Sequence, residues 1–353
     1  MQIKTPGDGR LSPLRQPPPR PVGDEARSKP ALDRSPATTA SGPAERALAA
    51  ATPATDAPAA PGDCFLPPVS RLPVEGLGGE LRAQPAVASS VTEPSTPIGL
   101  TFKAIEHAKL FVKGADETHA ANPSDIAQGA AEDCWFLSSL ATIALHHPEL
   151  LEKNIADHGD GTYTVTLYQP PGPDDVAAAS SNSLWGEEKR TFQIKVSGGL
   201  PHRDGERVFA DAVAENGTPE LWVSLYEKAL ATYLGGYENI RPNNGTVGMA
   251  LIAGATTTQT IASYLDFSQV AEWFKKGDGL TVVSMPADIA PEIEAYRDGT
   301  LMAEHVYYVS NVDAEAGTVE IRNPFGWNHA PISMPWEAFK NTLGWIDHGA
   351  ISR

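Results

Sequence analysis

The sequence is poor in cysteine, in aromatic residues and in long hydrophobic runs. It contains two cysteines in 353 residues, and Phe, Trp and Tyr together make up 7% of the chain. No stretch reaches the run of about 20 apolar residues that a membrane-crossing helix needs, so we expect no membrane span. The first residues, Met1 to Asp8, also lack the apolar segment of a secretory signal peptide. Two locations remain open: the cytoplasm, or export without a cleaved signal, for example as a bacterial effector delivered into a host cell.

Basic residues are scarce after residue 100. That part of the chain holds 17 basic and 34 acidic residues, so the whole net charge of −17 belongs to it. An acidic surface is repelled by the phosphate backbone of nucleic acids. We therefore expect no nucleic acid partner, and the sequence gives no indication of the oligomeric state.

The first hundred residues have the composition of a disordered leader. They contain 18 of the 31 prolines and a single aromatic residue, Phe65. Such a segment buries too little apolar surface to offset the entropy of ordering it. We predict a disordered Pro/Ala/Ser-rich leader over 1–97. Of the two cysteines, Cys64 lies in this leader and Cys134 in the folded part; a reducing compartment disfavours a disulfide between them, so we expect Cys134 to be a free thiol.

The segment around Cys134 has the pattern of a thiol nucleophile. Apolar residues recur at helical spacing after Cys134, and Asp133 is a candidate N-cap for this helix. A helix N-terminus stabilises a thiolate, and the amide of Gln128, six residues upstream, can help to bind an oxyanion. A cysteine on a helix is more often a buried structural residue. The functional interpretation therefore needs a histidine base and a residue that orients it.

Helical signals come early and strand signals come late. Residues 220–234 carry a second helical pattern, and alternating segments over 162–168 and 191–197 predict strands. Further strands are expected over 280–285, 305–312 and 318–323. Together these predict an α+β domain with two lobes, and a cleft between lobes is a favoured place for a site.

His305 and Asn323 are the candidate base and orienting residue. They lie on the two strands of a predicted hairpin that turns over residues 313–317. If Val312 pairs with Thr318, then Asn323 lies on the same face as His305 as its diagonal neighbour. An asparagine oxygen can then accept from one imidazole nitrogen while the other nitrogen faces a thiolate. A one-residue bulge would break this inference.

Three blocks in this order resemble the calpain family. They are Gln128-Gly with Asp133-Cys-Trp-Phe-Leu, the helix Glu220-Leu-Trp to Glu227-Lys-Ala followed by Gly235-Gly-Tyr-Glu, and His305-Val-Tyr-Tyr-Val with Arg322-Asn-Pro-Phe-Gly. The resemblance covers a catalytic core over about 100–330.

This resemblance implies a papain-like cysteine protease fold and a set of roles. It implies a helical lobe over 98–240 that carries the nucleophile and a β-rich lobe over 241–353 that carries the histidine and asparagine. Cys134 would be the nucleophile, His305 the general base and acid, Asn323 its orienting partner, and Gln128 an oxyanion donor. The implied reaction is hydrolysis of peptide bonds in protein or peptide substrates through a thioester acyl-enzyme.

The chain also departs from the family pattern. Glu132 and Glu304 stand where the family usually has glycine, and Phe325 stands in place of tryptophan. Added carboxylates tend to raise a thiol pKa and to stabilise an imidazolium, so their effects partly oppose each other. Two alternatives therefore stay open: a catalytically weak binding module that holds a peptide in the same cleft, and an acyltransferase or glutamine deamidase that uses the same triad.

Asp125 and Glu220 are the candidate metal ligands. They resemble positions that supply carboxylates to calcium in the first lobe of calpains. A calcium site takes six to eight oxygen ligands, and two carboxylates are too few to establish one. No cofactor is expected, and calcium is left as an open option.

Overall fold

The structure is a computed structural model that describes residues 90–114, 118–169, 190–214 and 217–352. The predicted leader lies outside the described residues as far as residue 89. Within the described ranges the chain forms seven α-helices and fifteen strands. No helix in these ranges is long and apolar enough to cross a membrane.

The helices and strands follow one another along the chain in a mixed order. The helices are α1 Cys134–His146, α2 Pro148–Lys153, α3 Trp222–Leu234, α4 Gly245–Ala253, α5 Phe267–Lys276, α6 Glu294–Arg297 and α7 Trp336–Thr342. The strands up to α4 are β1 Thr101–Lys103, β2 Ile126–Ala127, β3 Ile155–Asp157, β4 Thr162–Tyr168, β5 Thr191–Ser197, β6 Leu200–Arg203, β7 Glu206–Arg207, β8 Asp211–Val213 and β9 Pro219–Glu220. The later strands are β10 Thr256–Ile261, β11 Gly279–Ser284, β12 Val306–Asp313, β13 Thr318–Arg322, β14 Ile332–Pro335 and β15 Leu343–Ala350.

A six-stranded antiparallel sheet dominates the C-terminal part of the described chain. Its strand order is β10-β15-β11-β12-β13-β14, and three smaller sheets, β1-β6-β7, β2-β8-β9 and β3-β4-β5, come earlier. Residues of β12 alternate between two hydrophobic clusters: Val306 and Tyr308 belong to the cluster around α1, and Tyr307 and Val309 belong to the cluster with α5 and α7. This alternation follows from the period of two in a strand. The mixed helix and sheet content confirms the predicted α+β class, and the lobe boundary at residue 240 stays a prediction.

Helix α1 is buried along almost its whole length. Eleven of its thirteen residues are buried, and most of these side chains are apolar. Its polar side chains are bonded to different elements. Ser138 Oγ donates to the Val306 carbonyl at 2.8 Å, and Thr142 Oγ1 accepts from the Leu280 amide at 3.0 Å. Ser139 Oγ lies within hydrogen-bond distance of the Trp135 carbonyl of its own helix at 2.7 Å and of the Gly245 carbonyl at 3.1 Å. The helix is thereby fixed against β12, α4 and β11.

The β12–β13 hairpin differs from the predicted register near its turn. Thr318 pairs with Asp313 rather than with Val312, and a bulge between Val309 and Asn311 shifts the register by one residue. Beyond the bulge Tyr308 pairs with Arg322. The bulge therefore restores the predicted alignment at the end of the hairpin that leads to His305 and Asn323.

Candidate active site

The main chain of His305 is held where β11 ends and β12 begins. Its amide donates to Ser284 Oγ at 2.8 Å, and its carbonyl accepts from the Ser284 amide at 2.9 Å. The preceding residue, Glu304, has a φ of 54°, a left-handed conformation that glycine adopts without strain and other residues rarely adopt. The glutamate at this position is 8% exposed and accepts from the Ala287 amide at 3.3 Å. Its carboxylate is therefore bonded to backbone rather than exposed beside the site.

The side chain of His305 is oriented by Asn323. The Nε2 atom of His305 lies 3.0 Å from Asn323 Oδ1, and because this oxygen can only accept, Nε2 carries the proton. The same oxygen accepts from the Phe325 amide at 3.0 Å. The ring of Phe325 lies 5.0 Å from the imidazole between centroids. The structure thus brings together the predicted base and its predicted partner.

The other imidazole nitrogen has no hydrogen-bond partner among the residues that the structure describes. The Nδ1 atom of His305 is buried and unsatisfied, and His305 is only 1% exposed. Burial lowers the pKa of His305 to about 4, the hydrogen bond with Asn323 offsets part of this effect, and His329 adds to the lowering. The imidazole is therefore neutral at ordinary pH, with its lone pair on Nδ1 available to accept a proton.

Cys134 is the first residue of α1. The Asp133 carbonyl accepts from the Phe136 and Leu137 amides at 2.8 and 3.0 Å, so the helix begins at Cys134 as predicted. Cys134 lies one turn N-terminal to Ser138, on the same side of the helix. Ser138 is bonded to Val306, which is the first residue of β12 and directly follows His305. The start of α1 therefore lies beside the first residues of β12.

The sulfur of Cys134 is in a disulfide bond, so the expectation of a free thiol is wrong for this state of the protein. The chain's other cysteine, Cys64, lies outside the described residues. A redox argument from compartment describes a class of proteins and does not fix the state of one particular sulfur. Thiolate chemistry at Cys134 therefore requires reduction first.

Gln128 is tied to the loop that carries Asn323. Its amide nitrogen in the main chain donates to the Pro324 carbonyl at 2.8 Å. Its side-chain Nε2 donates to the Ala131 carbonyl at 2.8 Å, and its Oε1 is buried without a hydrogen-bond partner. One proton on Nε2 is thus engaged by Ala131 in this structure. The predicted role as an oxyanion donor would use the second proton, for which the neighbouring Asp133 carboxyl competes.

Asp133 does not cap α1 with its side chain, contrary to the prediction. It occupies the N-cap position, but its side chain makes no capping hydrogen bond. The carboxyl is fully buried and points towards Glu227 on α3 and Gln128. Burial raises the pKa of Asp133 to about 7, and the nearby Glu227 and Gln128 side chains offset part of this effect. Sequence reasoning missed this buried pair because Glu227 is distant in the chain.

The two calcium candidates lie on neighbouring parts of one small sheet. Ala212 of β8 pairs with Ile126, which follows Asp125, and with Glu220. Asp125 Oδ2 accepts from the Asn122 amide at 3.0 Å, and Glu220 Oε1 accepts from the Val112 amide at 2.7 Å. Among the described residues no group of three or more His, Cys, Asp or Glu side chains could hold a metal ion. Two carboxylates that already accept backbone N–H groups do not make the oxygen cage that calcium needs.

Comparisons with known proteins agree with this geometry. Residues 103–342 match the sequence profile of the calpain family cysteine proteases. The chain is 28% identical over 226 residues to calpain-5 of Caenorhabditis elegans, covering 61% of this chain and 31% of that protein. It is 27% identical over 235 residues to calpain-9 of Homo sapiens, covering 64% and 31%. It is 25% identical over 230 residues to the calpain-1 catalytic subunit of Macaca fascicularis, covering 63% and 29%. The chain spans about a third of the length of these curated relatives.

Proposed function

Because the chain belongs to the calpain family of cysteine proteases, a family of cysteine-type endopeptidases, we propose that its reduced form hydrolyses peptide bonds in protein substrates with a Cys134–His305–Asn323 triad. The observation that carries the proposal is the state of the imidazole. Its Nε2 is held by Asn323, and its Nδ1 is buried with an unused lone pair. A base needs this arrangement to accept a proton from a thiol.

The acylation step begins with transfer of the Cys134 proton to His305 Nδ1. The thiolate sulfur then attacks the carbonyl carbon of the substrate, and the carbonyl oxygen becomes an oxyanion. The second proton of Gln128 Nε2 and the N-terminus of α1 stabilise this oxyanion. When the tetrahedral intermediate collapses, the C–N bond breaks, and the imidazolium gives its proton to the leaving amine. The acyl group remains on sulfur as a thioester.

The deacylation step uses water in place of the thiol. His305 Nδ1 takes a proton from the water, and the water oxygen attacks the thioester carbonyl. The C–S bond breaks, the carboxylic acid product leaves, and the imidazolium returns a proton to the sulfur. Asn323 keeps the same imidazole nitrogen protonated through both steps, because its Oδ1 accepts from Nε2.

The test is cleavage of casein by the full chain before and after treatment with a dithiol reductant. We expect cleavage and labelling by a thiol-directed epoxide only after reduction, and loss of both in Cys134→Ala. His305→Ala should lose cleavage, although its Cys134 disulfide still forms and can still be reduced. Cys64→Ala is the matched cysteine control and should cleave; if it cleaves without reductant, the disulfide joins the two cysteines of one chain.

The products also separate hydrolysis from the related reactions. Chain scission with a new amino terminus supports the endopeptidase. A mass increase of glutamine deamidation, or transfer of an acyl group to an added amine without scission, would assign the triad to one of the alternatives. A reduced protein that neither labels nor cleaves would refute the proposal.

A further inference from the structure

Two carboxyl groups, Asp133 and Glu227, lie together in the interior, and the first belongs to the residue that precedes the proposed nucleophile. Each residue is 0% exposed. Both oxygens of Glu227 lie within hydrogen-bond distance of the Ala210 amide, at 3.1 and 3.0 Å. Neither oxygen of Asp133 has a partner at standard hydrogen-bond geometry, yet the two carboxyls approach closely enough for each to change the pKa of the other. Asp133 is the residue before Cys134, so this pair adjoins the reacting sulfur along the chain.

One proton stays on this pair across the ordinary pH range. Two carboxyls buried side by side do not both ionise. Burial, the charge of Asp133 and its hydrogen-bonding raise the pKa of Glu227 well above its usual value, whereas the Glu227 side chain favours the ionised form of Asp133. The two carboxyls therefore share this proton, and the pair carries at most one negative charge.

The other polar groups around the pair do not neutralise it. Tyr237 lies nearby with a buried hydroxyl that has no hydrogen-bond partner. Burial raises the pKa of this phenol well above its usual value, and the charges of Glu227, Asp133 and Glu93 add to the effect. The ammonium group of Lys228, the next residue after Glu227, is engaged by Glu93 and by the Gly199 carbonyl. Burial has the largest effect on the charge of Asp133, and among the neighbouring side chains Glu227 has the largest.

The direction of the Asp133 side chain has a consequence for α1. An aspartate at an N-cap normally accepts from amides of the first helical turn. Here that capping bond is absent, and the carboxyl is turned towards α3 instead. A carboxylate bonded to the first turn would bring a like charge beside the Cys134 thiolate and raise the thiol pKa. It would also occupy the positive end of the helix that favours the thiolate and the oxyanion.

We propose that Glu227 is a positioning residue for the nucleophile: by sharing its proton with Asp133, it holds this carboxyl in the interior and leaves the first turn of α1 to the Cys134 thiolate. This role rests on the proposed function, since it explains how the thiol is activated for it. Glu227 does not contact the substrate, and it acts through Asp133 alone.

The test measures the pH dependence of alkylation of Cys134 by iodoacetamide in the reduced full chain. All variants carry Cys64→Ala, so that a single thiol reacts. Glu227→Ala frees the Asp133 carboxylate, and we expect the thiol pKa to rise by about one unit, which lowers the alkylation rate at neutral pH about tenfold. Adding Asp133→Asn to Glu227→Ala should return most of the lost rate, because no carboxylate is then left to compete for the helix end.

Glu227→Gln is the matched control. Its side-chain amide can donate to Asp133, and its carbonyl can accept from the Ala210 amide, so its alkylation profile should stay close to that of the Cys64→Ala parent. Near-ultraviolet circular dichroism checks the fold of each variant. If Glu227→Ala does not fold, Glu227→Asp, which withdraws the acid from Asp133 but stays polar, takes its place with the same expectations.

Three outcomes would overturn the proposal: a Glu227→Ala profile that superimposes on the parent, a double variant no faster than Glu227→Ala, or a Glu227→Gln variant as slow as Glu227→Ala. A merely structural Glu227 would not be rescued by removing a second buried group. Alkylation does not depend on peptide hydrolysis. A protein that shows the predicted shifts but cleaves no substrate would thus refute the protease and leave this inference standing. A protein that cleaves substrate without the predicted shifts would refute this inference and leave the protease standing.

Discussion

Reduction of the Cys134 disulfide should raise the pKa of His305. In the structure burial lowers that pKa to about 4, and the Nδ1 atom has no hydrogen-bond partner that would stabilise a second proton. A thiolate roughly 4 Å from the ring would contribute about 4 kcal/mol at an effective dielectric constant of ~20. This energy corresponds to about three pH units. We therefore expect His305 to titrate near neutral pH once a thiolate faces it.

The measurement is an NMR titration of the histidine ring resonances in three forms of the protein: oxidised, reduced, and Cys134→Ala. The His305→Asn variant identifies the resonance by its disappearance. Cys134→Ala is the matched control, because it removes the disulfide without supplying a charge, so its His305 should keep the low pKa. The same His305 pKa in the reduced protein and in Cys134→Ala would refute the thiolate–imidazolium pair.

Substitutions at a close-packed glycine, at a partly buried histidine and at the upstream amide test the rest of the structure. A Cβ on Gly129 would lie 2.3 Å from the Phe209 carbonyl carbon, so Gly129→Ala should lower the free energy of unfolding in urea by about 1–3 kcal/mol; Gly199→Ala, whose nearest contact is a flexible hydroxyl at 3.3 Å, should change it little, and equal effects would contradict this packing. Burial lowers the pKa of His146 to about 4, so the native state binds fewer protons than the unfolded chain as pH falls below the ordinary histidine range, and stability is lost there. His146→Leu should remove up to about 3 kcal/mol of that loss, seen as a lower acid-unfolding midpoint, and an unchanged midpoint would count against it. Gln128→Ala should lower kcat about 100-fold with little change in KM, whereas an equal fall in the alkylation rate of the thiol would show that the amide acts on the sulfur instead.

The helix of the nucleophile and the strands around the histidine could be predicted from the sequence, because their apolar periods are strong. The expected segments 162–168 and 191–197 coincide with β4 and β5. The neighbourhood of His305 and Asn323 was predicted correctly from a register that was wrong at the turn. The bulge around Ser310 compensates for that error, and its hydroxyl bonds to Glu320 Oε1 at 2.6 Å. An alternating pattern does not reveal one extra residue in a strand.

The electrostatics of the site could not be predicted from local sequence. Asp133 has the residue type and position of a helix cap, but a partner on another helix determines where its carboxyl points. Glu304 lies at a position where the backbone is left-handed. From the sequence of the chain alone, its carboxylate is expected to place a charge beside the imidazole. In the structure that carboxylate accepts a backbone amide instead. In both cases the tertiary partner decides what the charge does, and it is far away in the chain.

The hydrogen bond between Ser138 and Val306 affects how the two halves of the candidate site can move apart. It is short and buried, and it joins the helix that begins at Cys134 to the strand that begins after His305. A movement of α1 away from β12 breaks this bond and leaves two polar atoms unsatisfied in the interior, at a cost of about 1–3 kcal/mol. Separation of this helix from this strand should therefore occur as a discrete opening step rather than as a gradual loosening.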